Sequence, residues 1–166
     1  YQNLIKAYNN GEISFKDVHS YNLDEYCGID RNHPQSYYYF MHDNLFNHVD
    51  IKEENTHVPY AAPGSDLDAE AKKYTEALNS VEIDLQLLGI GGNGHIGFNE
   101  PSPEEISDGT CIVTLAGQTI SDNANKFYHG DESKVPKKAI SMGMGKIMQA
   151  KSIILIANGE SKAKAI

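Results

Sequence analysis

Asn93, His95 and Glu100 fall together in the stretch Leu87-Leu-Gly-Ile-Gly-Gly-Asn-Gly-His-Ile-Gly-Phe-Asn-Glu-Pro101. An imidazole titrates near neutral pH, and a nearby carboxylate or amide can hold it in one tautomer. That combination is equipment for general acid/base catalysis. His95 is therefore the candidate proton carrier, Glu100 the carboxylate that would hold its ring, and Asn93 an orienting hydrogen-bonder. The glycines around them let the backbone approach a ligand and offer N–H groups to hydroxyls and developing negative charge. Gly89, Gly91 and Gly97 are the candidate backbone contacts.

The same glycines match a dinucleotide fingerprint, Gly89-x-Gly91-x-x-Gly94, with Asp108 downstream. That fingerprint needs a helix opening directly after the glycines, so that phosphate meets its N-terminus. Pro101 and Pro103 oppose a long helix from Gly94. The expectation is no nicotinamide or flavin, and no cofactor at all. The other six histidines show no metal-ligand spacing, so no metal is expected. The run Tyr37-Tyr38-Tyr39-Phe40 reads as core packing on a helix rather than a stacking platform.

Elements must bring these residues to one place. A short strand is expected around Val18–Leu23, ending at Asp24. A helix should run from about Pro34 to Val49, with Tyr38, Met41, Leu45 and Val49 at helical spacing. Ser65 and Asp68 read as a capping box for a helix to about Asn79. The strand Ile83–Ile90 leads into the glycine loop. A strand follows near Cys111–Leu115, then a helix near Thr119–Tyr128 and a short strand at Ala139–Met142. The apolar, β-branched Ser152–Ala157 is another strand, and a helix should start after Gly159. Alternation of this kind predicts the α/β class: a three-layer αβα arrangement, its sheet mostly parallel and Rossmann-like, with helices on both faces. Ligands of such sheets sit beyond the carboxyl ends of strands, where Asp24, the Gly89–Glu100 loop and Asn158-Gly159 fall.

The chain has 166 residues with 40% hydrophobic content, which suits a single folded domain over 1–166. The net charge of −9 argues against nucleic acid and anionic membranes as partners. No apolar run approaches the ~20 residues of a bilayer span. Two cysteines, Cys27 and Cys111, suit reduced thiols and a cytoplasmic location. Both termini lie inside helical patterns, so the chain is expected to be truncated at both ends. A homo-oligomer is allowed but not specified.

The glycine-loop stretch closely resembles the catalytic loop of glucosamine-6-phosphate deaminases. Tyr21-Asn-Leu-Asp-Glu-Tyr-Cys-Gly28, followed by His33-Pro-Gln-Ser-Tyr37, resembles that family's other active-site segment. The resemblance covers nearly the whole chain. It implies an isomerising deamination in amino-sugar catabolism, converting glucosamine 6-phosphate and water to fructose 6-phosphate and ammonia, with this sugar phosphate as the small-molecule partner. His95 would open the sugar ring, and Asp24 would take the C2 proton, with Glu25 structural. Lys126 matches a position where relatives carry a phosphate-binding Arg, and Lys162 a second phosphate-binding Lys. Gly109 and Cys111 replace arginines, which argues against activation by an N-acetylated sugar phosphate. The related enzymes also carry a Gly/Ser/Thr phosphate loop after their first strand, and this chain has none. Two alternatives stand beside the deaminase: a 6-phosphogluconolactonase-like hydrolase, which resembles the loop only through its Gly-His core, and a non-catalytic sugar-phosphate-sensing module.

Overall fold

The computed structural model of the protein describes residues 1–102 and 107–166; Pro103 lies outside the described residues. The chain opens on α1 (Gln2–Asn9) and passes through two short strands, β1 (Ser20–Tyr21) and β2 (Asp24–Tyr26). Then come α2 (Tyr37–Asn44), β3 (Thr56–His57), α3 (Leu67–Asn79) and β4 (Leu85–Gly89). The second half contains β5 (Cys111–Thr114), α4 (Gly117–Phe127), β6 (Lys138–Ser141), α5 (Met144–Ile147) and β7 (Ser152–Ile156). Helices and strands largely alternate, as in the α/β class, although β1 and β2 follow each other without a helix between them.

The strands form three ribbons. β1 pairs with β3 and β4 with β7, both in parallel. In the third, β6 lies between β2 and β5 and runs antiparallel to both. The antiparallel ladder departs from the mostly parallel expectation. Alternation of elements says which segments are strands; it does not say in which direction the chain returns. Here α4 and the stretch 128–137 bring β6 back against β5 rather than beside it in parallel.

Individual elements also differ from expectation, each for a local reason. Asp24 begins β2 rather than ending β1. α2 starts at Tyr37, not Pro34, because Ser36 is its N-cap and accepts from the Tyr39 N–H at 3.4 Å. It stops at Asn44, and Phe46–His48 continues as a 3-10 turn. The cap of α3 is Asp66, which accepts from the Ala69 N–H at 3.1 Å, while Ser65 donates to the Ala62 carbonyl. The helix expected after Gly159 is a single 3-10 turn, Glu160–Lys162.

The core explains why these pieces hold. α3 turns Ala71, Tyr74 and Leu78 inward at helical spacing. Tyr74 and Leu78 meet Leu88, Met142 and Ile147 in one cluster. A second cluster, Tyr26, Phe98, Leu115 and Ala139, lies under the glycine loop. Each buried Leu, Ile, Met or Phe among them contributes about 1.5–3 kcal/mol. Of the aromatic run, only Tyr37 joins this core, stacking on Tyr26 at 5.5 Å; Tyr39 and Phe40 are exposed. In the β4·β7 ribbon, β4 is covered on one face and β7 on neither. Leu85 and Leu87 of β4 and every residue of β7 are exposed, so helices on both faces are not seen over this ribbon among the described residues. Among them, no helix is long and apolar enough to cross a membrane.

Candidate functional site

Two segments meet at the site. The first is β2, whose opening residue Asp24 pairs with Ser141 of β6. The second is the loop leaving β4. Its backbone folds back on itself: Gly91 N–H donates to the His95 carbonyl at 2.8 Å, and Gly94 N–H donates to the Gly91 carbonyl at 3.0 Å. Ile96 and Asn99 close a second tight turn by mutual backbone bonds. No helix follows Gly94 in the described stretch to Ser102, so the geometry of a dinucleotide fingerprint is absent there.

Within the loop, Asn93 rather than Glu100 is the direct partner of the imidazole. His95 Nδ1 lies 2.6 Å from Asn93 Oδ1, while Glu100 Oε2 is 3.9 Å from the same nitrogen. Asn93 Nδ2 donates to Glu100 Oε2 at 2.6 Å. The three form a compact cluster in which the amide bonds to both the carboxylate and the imidazole. Sequence spacing could not rank the two partners; the turn through Gly94 puts Asn93 in between. An ionised Glu100 can only accept, so the amide must turn its NH2 to Glu100 and its carbonyl to His95. Nδ1 is then the protonated nitrogen of the neutral ring, and Nε2 keeps its lone pair.

Gly91 and Gly97 are each required by a close approach. A Cβ on Gly91 would overlap the His95 ring. At Gly97, φ is +59°, and a Cβ would stand 3.1 Å from Asp24 Oδ2 and 3.2 Å from Ser141 Oγ. Gly97 is therefore the point where the loop touches Asp24. A Cβ at Gly89, by contrast, would meet nothing within 4 Å. The structure gives that position no steric need for glycine.

Asp24 and Glu25 are adjacent carboxylates with opposite roles. Glu25 is buried and fully bonded. Its oxygens accept from Ser36 Oγ (2.7 Å) and from the N–H groups of Tyr26 (2.8 Å), Tyr37 (3.0 Å) and Tyr38 (3.0 Å). It anchors the N-terminus of α2, where orphan donors and the helix dipole favour an anion. Asp24 has no such set of donors among the described residues. Burial, and secondarily the charge of Glu25, push its pKa up to about 7. It borders a cleft of about 410 Å³ together with Tyr37 and Leu87.

Two residues that sequence reasoning left without a role lock the halves together. The Asn99 amide donates to the Ile96 carbonyl (3.0 Å) and the Met142 carbonyl (2.9 Å). Ser141, fully buried, accepts from the Phe98 N–H at 3.2 Å. Asn99 sat inside the recognised motif. Ser141 had no sequence signal, because its partner is 43 residues away. The lysines are placed more loosely. Lys126 is exposed on the last turn of α4, its Nζ 4.9 Å from the Phe127 ring centroid. α4 is tied to β2 by Asn123 Nδ2 donating to the Tyr26 hydroxyl at 3.0 Å. Lys162 is half-buried in the last 3-10 turn. The neighbouring Ser161 carbonyl lies 3.6 Å from where a Cβ of Gly92 would stand. Neither ammonium makes an ion pair among the described residues.

The family described as glucosamine-6-phosphate isomerases/6-phosphogluconolactonase matches residues 1–166, the entire chain. The chain belongs to this family. A glucosamine-6-phosphate deaminase of Thermoanaerobacter sp. (strain X514) is 53% identical over 167 residues, covering 100% of this chain and 64% of its own length. One from Shewanella woodyi is 51% identical, covering 100% of this chain and 62% of its own. The chain thus spans somewhat under two thirds of these relatives. Among solved structures, a monomeric glucosamine-6-phosphate deaminase superposes with a TM-score of 0.91 at 42% identity, over 99% of this chain and 67% of its own. A 6-phosphogluconolactonase from Thermotoga maritima reaches 0.64 at 15% identity, over 96% of this chain and 67% of its own, a likeness of fold alone. Within the family, the deaminase branch is the one this chain resembles in sequence as well as shape.

Proposed function

We propose that this chain carries the acid/base machinery of a glucosamine-6-phosphate deaminase and acts, as one domain, in the cytoplasm on this small sugar phosphate. The observation that supports the reading is the close approach of Gly97, on the loop that carries Asn93, His95 and Glu100, to the raised-pKa carboxylate of Asp24. The named deaminase relatives at about half identity support it.

The residues divide the work. His95 Nε2, with its lone pair free, takes the proton of the C1 hydroxyl and returns it to the ring oxygen, which opens the sugar. As the imidazolium forms, its Nδ1–H bond to Asn93 strengthens, and the Glu100 charge behind the amide stabilises it. Asp24 then takes the C2 proton of the open-chain aldehyde. The enolamine is reprotonated at C1, water adds at C2, and ammonia leaves. An Asp with a pKa near 7 is ionised often enough to act, yet basic enough to pull on a weakly acidic C–H. Backbone N–H groups of the loop near Gly89 and Gly97 would hold sugar hydroxyls, whereas the Gly91 N–H is taken by the His95 carbonyl. Lys126 and Lys162 would meet the phosphate as point charges. No metal or cofactor has a part in these steps.

The test is ammonia release from glucosamine 6-phosphate by the full-length protein, measured beside its Asp24→Asn variant. Release in the parent and loss in the variant are expected. Hydrolysis of 6-phosphogluconolactone without ammonia release would overturn the reading in favour of the hydrolase.

A further inference from the structure

Arg31 is the only arginine in the chain. It stands in the loop between β2 and α2, and its guanidinium lies over two rings. Cζ is 4.5 Å from the centroid of Tyr38 and 4.9 Å from that of Tyr60. Stacking of this kind fixes the plane of the fork and leaves its in-plane N–H groups for another partner. Arg31 Nε is buried without any hydrogen-bond partner. No carboxylate among the described residues pairs with this arginine.

The guanidinium borders a cavity of about 220 Å³ that His57, Lys73, Glu53 and Glu70 also line. His57 Nε2 is a second buried nitrogen there without a partner. Leaving a buried donor unsatisfied costs about 1–3 kcal/mol, and folded proteins normally supply the missing partner. The acids of the cavity already have partners among its neighbouring side chains. Glu53 Oε1 accepts from the Tyr38 hydroxyl at 3.2 Å and stands 3.7 Å from His42 Nε2. Glu70 Oε2 lies 3.9 Å from Lys73 Nζ. What the cavity lacks is an acceptor with several oxygens.

We propose that this cavity is a second ligand site, one that binds the phosphate of a small phosphorylated metabolite through Arg31, His57 and Lys73. An arginine fork takes two phosphate oxygens at once, and His57 and Lys73, which line the same cavity, supply further donors for the remaining oxygens of a tetrahedral anion. The volume is below the ~300 Å³ at which pockets for larger ligands begin. None of Asp24, Asn93, His95, Glu100, Lys126 or Lys162 borders it, so the site is separate from the catalytic one and does not depend on ammonia chemistry. Its wall is nevertheless bonded to the catalytic segment. Tyr74 donates to the carbonyls of Asn22 (2.7 Å) and His57 (3.2 Å), and Tyr21 stacks on His57 at 4.3 Å.

A single arginine gives a single Nε–H cross-peak in an ¹⁵N–¹H correlation spectrum, so the site reports on itself. The experiment titrates the labelled chain with inorganic phosphate, with glucose 6-phosphate, and with chloride at matched ionic strength. It is repeated on a Lys126→Gln/Lys162→Gln variant. The expected result is a saturable shift of that peak by a phosphate compound, half-complete below about 10 mM, unmoved by chloride and preserved in the double variant. Arg31→Lys should weaken binding at least tenfold, read from nearby backbone peaks. Tighter binding of glucose 6-phosphate than of phosphate would assign the site to a monoester, and equal binding to the free anion. No saturation, an equal response to chloride, or loss of the shift in the double variant would overturn the proposal.

Discussion

Asp24 is the residue on which both activity and pH dependence turn. Its pKa of about 7 against an ordinary 3.8 means that, between those values, the folded state holds a proton the unfolded state has lost. The stability from this group is therefore complete below pH ~4 and is lost as pH rises through 7. The full difference is about 4 kcal/mol, at ~1.4 kcal/mol per pKa unit. Asp24→Asn should be more stable than the parent at pH 8 and no more stable at pH 4; coincident denaturation midpoints at pH 8 would sink the raised pKa. Catalysis runs the other way. kcat/KM for deamination should climb as pH passes through about 7, and Asp24→Asn should lower it by roughly 10²–10⁴. For His95→Gln, turnover of closed-ring substrate should fall more than that of an open-chain analogue. Equal losses on the two would remove its ring-opening role. Gly97→Ala brings strain at φ +59° and a contact with Asp24, at a cost of about 1–2 kcal/mol. Denaturation should show that cost together with lost turnover.

At the scale of elements, one buried carboxylate organises the approach to the site. Glu25 satisfies three backbone N–H groups and the Ser36 hydroxyl, and thereby fixes α2 against β2. Glu25→Ala leaves those donors orphaned, and chemical denaturation should show a loss of about 3 kcal/mol or more. A loss under about 0.5 kcal/mol, the range of an ordinary surface change, would mean that water replaces the carboxylate without cost. Glu25 belongs to β2, yet the helix it anchors begins 12 residues further on in the chain. Ser141 and Asn99 do for the glycine loop what Glu25 does for α2. Each ties it to the end of β6, which keeps Gly97 against Asp24.

Across the whole molecule, burial is uneven. Three hydrophobic clusters surround the β2·β6·β5 ladder and α3, while Leu87, Ile154 and Ile156 of the β4·β7 ribbon are 48–57% exposed. Parallel strands this apolar are usually covered on both faces. The 166-residue chain should therefore enhance the fluorescence of a hydrophobic dye at neutral pH, and a Leu87→Lys/Ile154→Lys variant should lose most of that signal while keeping its circular dichroism. An unchanged signal would place the exposed apolar surface elsewhere. The sequence alone determined the α/β class, the order of the longer elements, and the glycine loop with Asn93, His95 and Glu100, while only the family resemblance linked that loop to the Asp24 segment. Periodicity and local motif carry that information, because each signal lies within a few residues. Only the tertiary structure decided that Asn93 stands between Glu100 and His95, that β6 runs antiparallel to both its neighbours, that Ser141 braces the loop, and that Arg31 faces a cavity without a partner. Those outcomes depend on where distant segments come to rest, and burial then sets the pKa of Asp24, which its position in the chain does not reveal.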